Sequence, residues 1–248
     1  MAAAHGESMR ETVRSSIRLE DRLIVALDVP TVADARNLIG VLGGAVGFYK
    51  IGLQLIFAGG VELARDLVAM GKNVFLDAKL LDIDNQVANA VESIARVGVT
   101  FLTVHGNTPT VRAAVAARGE SPLRIFAVTA LTSMDQRDLA DIGSGMTIDS
   151  YVMHRAQQAL EAGADGVIAS GREARAIRER LGDRLLIVTP GIRSEGVAHD
   201  DQKRVATPIE AIRDGADHLV VGREILRAPN PVEKVAAIMR EIERGLSR

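Results

Sequence analysis

The amino-acid sequence predicts a single-domain α/β protein of the (β/α)8 or TIM-barrel class. Eight short apolar runs recur along the chain, and an amphipathic segment separates nearly every neighbouring pair. Such alternation is typical of parallel strands that are connected by helices. The composition agrees with this class. Aromatic residues make up only 3% of the chain, so the core must be built mainly from Val, Ile, Leu and Ala, as in parallel sheets that helices cover.

Each of the eight predicted strands can be assigned to a segment. In chain order they are RLIVALD from Arg22, GFYKIG from Gly47, NVFLDAK after Gly71, VTFLTVHG after Gly98, LRIFAVTAL from Leu123, ADGVIASG after Gly163, DRLLIVTPG after Gly182 and ADHLVVGR after Gly215. Five of them follow a glycine that stands where a helix C-terminus favours a left-handed residue. An open, doubly wound sheet is the alternative, but LDVPT follows the first strand where that fold carries a glycine-rich turn.

One helix is predicted to begin near Asp84, after the third strand. Its apolar residues recur at helical spacing and form a stripe of Val87, Val91, Ile94 and Ala95. A stripe of this kind packs against a sheet. Neither a linker nor a low-complexity stretch divides residues 22–248, which we therefore predict to form the one barrel domain. Residues 1–21 are polar, lack the apolar core of a signal peptide, and are predicted to form a flexible tail.

Charge and cysteine content exclude several classes of function. The formal net charge of -2 gives no broad basic field for nucleic acid or anionic lipid. Apolar runs stay well short of the ~20 residues that a membrane-spanning helix needs. The chain has no cysteine, which excludes disulfides, thiolate metal sites and thiol nucleophiles and is typical of a reducing compartment. We therefore expect a cytoplasmic protein that binds anions only at a local site.

The first candidate constellation lies at the end of the third strand, in the segment NVFLDAKLLDIDNQ. Asp77 and Lys79 are two residues apart, which places both side chains on one face of a regular strand. Asp82 follows in the loop, and Lys50 lies near the end of the neighbouring second strand. Strand ends of a (β/α)8 barrel carry its chemistry, so these charges are predicted to converge there. The alternative is a structural salt-bridge cluster that plugs the barrel.

The second constellation lies at the ends of the seventh and eighth strands, in VTPGIR and VVGR. Gly191 and Gly222 allow backbone N–H groups to approach an anion, and Arg193 and Arg223 offer bidentate donors. This corner is where (β/α)8 barrels commonly bind phosphate. The pattern predicts a phosphoryl group, although a single Gly-Arg pair at a strand end is more often a surface charge.

These residues carry a resemblance to the orotidine 5′-monophosphate (OMP) decarboxylase family, which runs from Leu23 to about Pro231. The matching segments are LDV at 27–29, KIG at 50–52, FLDAKLLDI at 75–83, VTALTSM at 128–134, VTPGIR at 188–193, DQKR at 201–204 and VVGR at 220–223. The resemblance implies conversion of OMP to UMP and CO2 without a cofactor or metal. It also implies a homodimer in which each active site borrows Asp82 from the other chain.

The resemblance assigns roles to individual residues. Lys79 is implied to protonate C6 of the pyrimidine, with Asp77, Asp82 and Lys50 completing the catalytic group. The residues implied to bind substrate are Asp28, Lys50, Ile83, Gln86, Thr132, Ser133, Pro190, Arg193, Gln202, Gly222 and Arg223. Thr132 and Ser133 both remain candidates for the pyrimidine contact, and Gln202 lies in a loop that family members use as a lid. For Asp28 the alternative is a helix N-cap.

The chain departs from the family pattern at two positions. Asp84 stands where relatives often have Pro, and Gln86 stands where they often carry a hydroxyl residue. Gln86 can still form a hydrogen bond, but its longer side chain changes the geometry of the ribose contact. A single histidine at a strand end, as His105 is, is more often structural than catalytic. His199 and His218 lack the spacing of paired metal ligands. The nearest rival function is a metal-dependent sugar-phosphate decarboxylase, and a second is a non-catalytic barrel that senses phosphorylated metabolites.

Overall fold

The protein folds as a closed barrel of eight parallel strands. The computed structural model describes residues 16–194 and 206–247. The strands lie in sequence order around the barrel, and β8 pairs with β1 to close it. Their bounds are β1 Leu23–Ala26, β2 Phe48–Ile51, β3 Asn73–Leu80, β4 Phe101–His105, β5 Arg124–Val128, β6 Gly166–Ile168, β7 Leu186–Thr189 and β8 His218–Val221. The predicted (β/α)8 class is confirmed, and each strand lies within the segment assigned to it, except that β3 extends one residue further, to Leu80.

Helices connect the strands and cover the outside of the barrel. The α-helices are Val32–Leu42, Leu53–Leu55, Val61–Ala69, Asp84–Ala95, Thr108–Arg118, Gln136–Asp141, Ile148–Glu161, Gly171–Leu181, Pro208–Arg213, Arg223–Leu226 and Pro231–Leu246. Short 3-10 helices span Leu19–Arg22, Gly43–Ala45 and Gly182–Arg184, and a π-helical turn spans Ile56–Gly60. In the part of the chain that the structure describes, no helix is both long enough and apolar enough to cross a bilayer.

The predicted helix boundaries agree with local backbone chemistry. The glycines predicted to be left-handed all have positive φ: Gly71, Gly98, Gly163, Gly182 and Gly215. In the helix Asp84–Ala95, Val87 and Val91 are buried, while Ile94 and Ala95 are partly buried against the core. Thr31 caps the helix Val32–Leu42, accepting a hydrogen bond from the Asp34 N–H at 3.1 Å. Asp28 is therefore not the cap and is available to the barrel mouth.

Phenylalanine fills the inside of the barrel, which the low aromatic content did not predict. Four of the five phenylalanines point inward from β2 to β5: Phe48, Phe75, Phe101 and Phe126. Phe101 contacts the other three, with ring centroids 4.4–6.1 Å apart, and tilted or edge arrangements of this kind are favourable. Gly166 of β6 faces this cluster, because a Cβ there would collide with the Phe126 ring. The aromatic layer supports the pocket above it.

The N-terminal floor of the barrel is closed by the 3-10 helix Leu19–Arg22. His218 Nδ1 lies 2.8 Å from the carbonyl oxygen of Asp21, and because a carbonyl only accepts, Nδ1 carries the proton. Burial lowers the pKa of His218, which keeps the ring neutral among the phenylalanines. Asn73 donates to the Asp21 carboxylate at 2.9 Å. The flexible tail predicted for residues 1–21 falls mainly outside the described residues. Its last residues, Leu19 to Asp21, belong to the 3-10 helix that closes the N-terminal end of the barrel.

Candidate active site

A cavity of about 210 Å³ opens at the C-terminal ends of the strands. The polar residues that line it come from six of the strand ends, and apolar side chains complete the wall. The lining residues are Ala26, Asp28, Lys50, Phe75, Asp77, Lys79, Val128, Ala130, Leu131, Thr132, Ile168, Pro190, Gly191, Arg193, Val220, Gly222 and Arg223. Asp77, Lys79 and Lys50 of the first predicted constellation therefore meet the second constellation in one pocket, whereas Asp82 does not line it.

Four charged side chains form a row of alternating sign along one side of the cavity. Lys50 Nζ lies 3.1 Å from Asp28 Oδ1 and 3.5 Å from Asp77 Oδ2. Lys79 Nζ donates to Asp77 Oδ1 at 2.7 Å. The row thus runs from Asp28 through Lys50 and Asp77 to Lys79, which ends it. We call this row the charged array.

Burial and charge oppose each other within the charged array. Burial disfavours the Lys50 ammonium, but the carboxylates of Asp77 and Asp28 outweigh burial and raise the pKa of Lys50. Burial likewise disfavours the Asp77 carboxylate, but the ammonium groups of Lys50 and Lys79, with hydrogen bonds from Lys79 and Thr103, lower its pKa. Both groups therefore stay ionised at neutral pH. A paired and hydrogen-bonded array is the form in which buried charges are tolerated.

The strand that carries Asp77 and Lys79 is not a regular strand at this point. Leu76 pairs with Leu102 and Leu80 pairs with Val104, and the register shifts between them. Lys79 has a φ of 47°, and among the described residues it alone combines a positive φ with a side chain. The predicted proximity of Asp77 and Lys79 is present, but it arises through a bulge and not through simple alternation along a pleated strand.

Apolar side chains form the floor of the cavity beneath the charged array. Phe75 precedes Asp77 by two residues on β3, and Ala26, Val128, Ile168 and Val220 come from four other strands. All five are buried. A floor without polar groups gives Asp77 and Lys79 a low-dielectric environment on one side, in which the interaction between charges is stronger than in water.

The same cavity contains the predicted anion corner. Arg193 is buried and donates to the carbonyl oxygen of Ile192 at 2.7 Å, and Arg223 begins the helix Arg223–Leu226. Gly191 adopts a φ of 74°, and a Cβ on Gly222 would lie 3.1 Å from Asp28 Oδ2. A side chain would therefore strain the backbone at position 191 and crowd Asp28 at position 222.

A buried carboxylate joins the two segments that carry these arginines. Glu224 accepts a hydrogen bond from the Ser194 N–H at 3.0 Å and another from Lys234 Nζ at 3.2 Å. Ser194 directly follows Arg193, and Glu224 directly follows Arg223. Ser194 Oγ also donates to Glu241 at 3.0 Å. The backbone segments of Arg193 and Arg223 are therefore held together from behind the pocket.

The remaining predicted site residues lie at different distances from the cavity. Thr132 lines it, whereas the exposed Ser133 does not. Asp82, Ile83 and Gln86 are exposed beside the barrel mouth and do not line the cavity of this single chain. Asp82 Oδ1 accepts a hydrogen bond from the Ile83 N–H at 2.7 Å. Gln202 and His199 lie outside the described residues.

Sequence reasoning missed Thr103, which lies on β4 beside the charged array. Its hydroxyl donates to Asp77 at 2.9 Å and accepts from the Lys79 N–H at 3.0 Å. The available signal was its position two residues before His105, which gives both side chains the same face of the strand. His105 is half-buried, and burial, followed by the charges of Lys79 and Arg155, lowers its pKa.

No cluster of three or more His, Asp or Glu side chains in residues 16–194 and 206–247 is arranged to hold a metal ion.

Arg155 stabilises the turn after β4, where it donates to the carbonyl oxygen of Gly106 at 2.9 Å and to Asn107 at 3.1 Å. The same guanidinium donates to the Tyr151 hydroxyl at 2.9 Å. These bonds fix the strand end that carries Thr103 and His105.

Comparison with known proteins identifies relatives over most of the chain. A sequence model of the Orotidine 5'-phosphate decarboxylase / HUMPS family matches residues 21–238. Orotidine 5'-phosphate decarboxylase of Rhodopseudomonas palustris (strain HaA2) is 53% identical over 222 residues, which cover 90% of this chain and 94% of that protein.

Two solved structures share the fold closely. The crystal structure of Orotidine 5'-phosphate decarboxylase from Lactobacillus acidophilus matches with a TM-score of 0.79 and 33% sequence identity, covering 90% of this chain and 99% of that one. An uncharacterized conserved protein from Geobacillus kaustophilus matches with a TM-score of 0.77 and 33% identity, covering 89% and 99% of the two chains. Given the match over residues 21–238 and the relative at 53% identity, the chain belongs to the Orotidine 5'-phosphate decarboxylase / HUMPS family.

Proposed function

We propose that this protein is an orotidine 5′-monophosphate decarboxylase, which converts OMP to UMP and CO2. The observation that carries the proposal is that the charged array, above an apolar floor, and the anion corner line the same cavity. OMP presents matching groups, because its ribose joins a phosphate to the pyrimidine ring whose C6 carries the reacting carboxylate. The name of the relative at 53% identity supports the same activity.

The anion corner is proposed to hold the phosphate of OMP. Arg193 and Arg223 supply guanidinium donors, and Gly191 and Gly222 allow backbone N–H groups to approach the phosphate. Pro190 and Thr132 also line the cavity, and the pyrimidine is proposed to lie against them. Asp28, which binds Lys50, is proposed to accept a hydrogen bond from a ribose hydroxyl. Gln202 is proposed to contact the phosphate from its loop.

Lys79 is proposed to supply the proton that replaces the carboxylate. The bond between C6 and the carboxylate carbon breaks, its electron pair stays on C6, and neutral CO2 leaves. The Lys79 ammonium then donates a proton to C6 and recovers one from water. A nearby ammonium stabilises negative charge that develops on C6 mainly in the transition state. No metal or cofactor enters this scheme.

Asp77 is proposed to act through charge. Its carboxylate is fixed by Lys79 and Lys50 and would lie close to the carboxylate of the substrate. Two like charges ~4 Å apart interact by about 4 kcal/mol at an effective dielectric of 20. This repulsion disappears when CO2 forms, and Asp77 also orients the Lys79 ammonium.

A metal-dependent sugar-phosphate decarboxylase is the rival function within the family. The decisive experiment follows the absorbance of OMP with purified protein, with and without EDTA. We expect conversion to UMP that EDTA does not change, because the proposed chemistry uses side chains alone. Turnover of 3-keto-gulonate 6-phosphate that requires a metal would support the rival. Binding of phosphorylated metabolites without any turnover would support a non-catalytic sensor.

We further propose a homodimer in which each Asp82 enters the active site of the other chain. Asp82 is exposed and forms no part of the charged array of its own chain. Leu81 and Ile83, on either side of it, leave 55% and 69% of their surfaces exposed, and neighbouring exposed apolar residues are typical of an interaction surface. A two-fold axis would make the two sites equivalent.

We also propose that the protein acts in the cytoplasm, since its proposed substrate and product are phosphorylated.

Mixing two inactive variants tests the shared site. Asp82→Asn and Lys79→Ala chains are expected to be inactive alone and to regain activity when mixed. In the mixed dimer one site carries both lesions and the other carries neither, so about a quarter of full activity returns for a statistical mixture of chains. The measurement is OMP turnover after the two variants are unfolded and refolded together. If Asp82 acts only within its own chain, every mixed site retains one lesion and no activity returns.

A further inference from the structure

Thr103 is a fully buried polar residue for which the proposed mechanism has no role. It lies on β4, inside the barrel, and has no exposed surface. A hydroxyl at such a position requires hydrogen-bond partners, because an unpaired buried polar group is costly. Its partners are Asp77 and Lys79, the two residues proposed to act on the substrate carboxylate and on C6.

The bulge in β3 lies directly opposite Thr103 of β4. Between the paired positions Leu76 and Leu80 lie Asp77, Ala78 and Lys79, whereas Thr103 alone lies between their partners on β4. A bulge leaves residues without ladder partners. The Lys79 N–H donates to the side chain of Thr103. Thr103 thus joins the two strands across the bulge.

The direction of both hydrogen bonds is set by chemistry. A hydroxyl has one proton to donate and lone pairs to accept with. The ionised Asp77 can only accept, and the Lys79 N–H can only donate. Thr103 Oγ1 therefore donates to Asp77 Oδ1 at 2.9 Å and accepts from the Lys79 N–H at 3.0 Å. One atom links the carboxylate to the backbone of the lysine.

The Lys79 backbone requires such a restraint. Its φ of 47° lies in the left-handed region, which is unfavourable for a residue with a Cβ because the Cβ comes too close to the following carbonyl oxygen. Strained backbone persists where the surroundings over-determine it. Lys50 binds the other carboxylate oxygen, Asp77 Oδ2, and makes no bond to the Lys79 backbone, so it does not replace Thr103.

We propose that Thr103 is a positioning residue that holds the Asp77 carboxylate and the Lys79 backbone in the arrangement needed for proton transfer to C6. The role rests on the proposed function, since it concerns the geometry of the proposed proton donor. Thr103 does not line the cavity. Its effect must therefore pass through Asp77 and Lys79, and the step in which Lys79 acts is the one that changes.

The test compares Thr103→Val with Thr103→Ser. Valine keeps the shape and the β-branch and removes the hydroxyl, whereas serine keeps the hydroxyl. For Thr103→Val we expect kcat for OMP to fall by roughly 10- to 100-fold, because displacing a reacting group by about 1 Å costs on the order of 100-fold. KM should change little, because the anion corner is intact. Thr103→Ser should return kcat to near the wild-type value.

Thr129→Val is the matched control. Thr129 is also buried, and its hydroxyl donates to the carbonyl oxygen of Ile168 at 2.8 Å instead of to Asp77. The Thr129→Val variant should lower the unfolding temperature about as much as Thr103→Val does, while its kcat stays near the wild-type value. If Thr103→Val does not fold, Thr103→Ala takes its place with the same expected kcat. Equal kcat values in the valine and serine variants, or a loss confined to KM, would overturn the positioning role.

A crystal structure of substrate-free Thr103→Val separates failure of this role from failure of the proposed function. We expect the 2.7 Å contact between Lys79 Nζ and Asp77 Oδ1 to be lost and the φ of Lys79 to change. If wild-type protein does not turn over OMP, the proposed function is wrong, and this structure still tests the positioning. An unchanged bulge and an unchanged contact would overturn it.

Discussion

Lys79→Ala is expected to abolish OMP turnover and to leave nucleotide binding largely intact. A positioned general acid typically contributes about 100- to 10,000-fold, and we expect a loss in kcat of at least that size. The anion corner does not include Lys79, so it remains complete in this variant. Asp77 keeps its ion pair with Lys50, and alanine has the same difficulty with a positive φ as lysine, so the bulge gains no new strain. Turnover in single-turnover assays and UMP affinity by calorimetry check both halves.

Lys72→Ala is the matched control for that variant. Lys72 precedes the same strand at the opposite end of the barrel, where it donates to the carbonyl oxygens of Gly43 and Val46 at 3.1 and 2.7 Å. This substitution removes one positive charge but should leave kcat near wild type. If Lys79→Ala kept more than a few per cent of wild-type turnover, the proton would have to come from another donor.

Arg223→Ala is expected to weaken transition-state stabilisation, because it removes a guanidinium that is proposed to bind the phosphate of OMP. The expected decrease in kcat/KM corresponds to roughly 2–5 kcal/mol if the arginine and phosphate are desolvated. Arg227→Ala is the control, since Arg227 lies one turn further along, is exposed and does not line the cavity.

Orotidine, the substrate without its phosphate, makes this test specific. Arg223→Ala should have little effect on kcat/KM for orotidine, because the group that Arg223 binds is missing. A similar loss for OMP and orotidine would mean that Arg223 acts on the structure of the site. Unchanged kcat/KM for OMP would remove Arg223 from the phosphate site altogether.

The fold could be predicted because parallel strands leave a local signature. Each strand is a short run of apolar residues, and left-handed glycines such as Gly71 and Gly215 mark the preceding helix ends. The phenylalanine layer could not be predicted in this way. Composition records that the chain has five phenylalanines, but not that four of them share the interior while Phe57 is 88% exposed.

The candidate site was predictable in membership more than in geometry. Asp77 and Lys79 were expected on one face of a regular strand, and the contact forms through a bulge that alternation does not reveal. Thr103 was missed because a threonine within an apolar run has the appearance of ordinary strand sequence. Asp82 illustrates a different limit, since the sequence of one chain does not show whether a second chain contacts an exposed residue.

The closure of the barrel has a consequence for how the chain folds. Leu23 pairs with Leu219, and Val25 pairs with Val221, so the first strand obtains its second neighbour only from a strand almost two hundred residues later. Contacts of such long sequence separation pay their loop-closure entropy before they are formed, which slows folding. During synthesis, β1 keeps one unpaired edge until β8 has left the ribosome. We therefore expect barrel closure to be a late and rate-limiting step, with earlier intermediates exposed to edge-to-edge association.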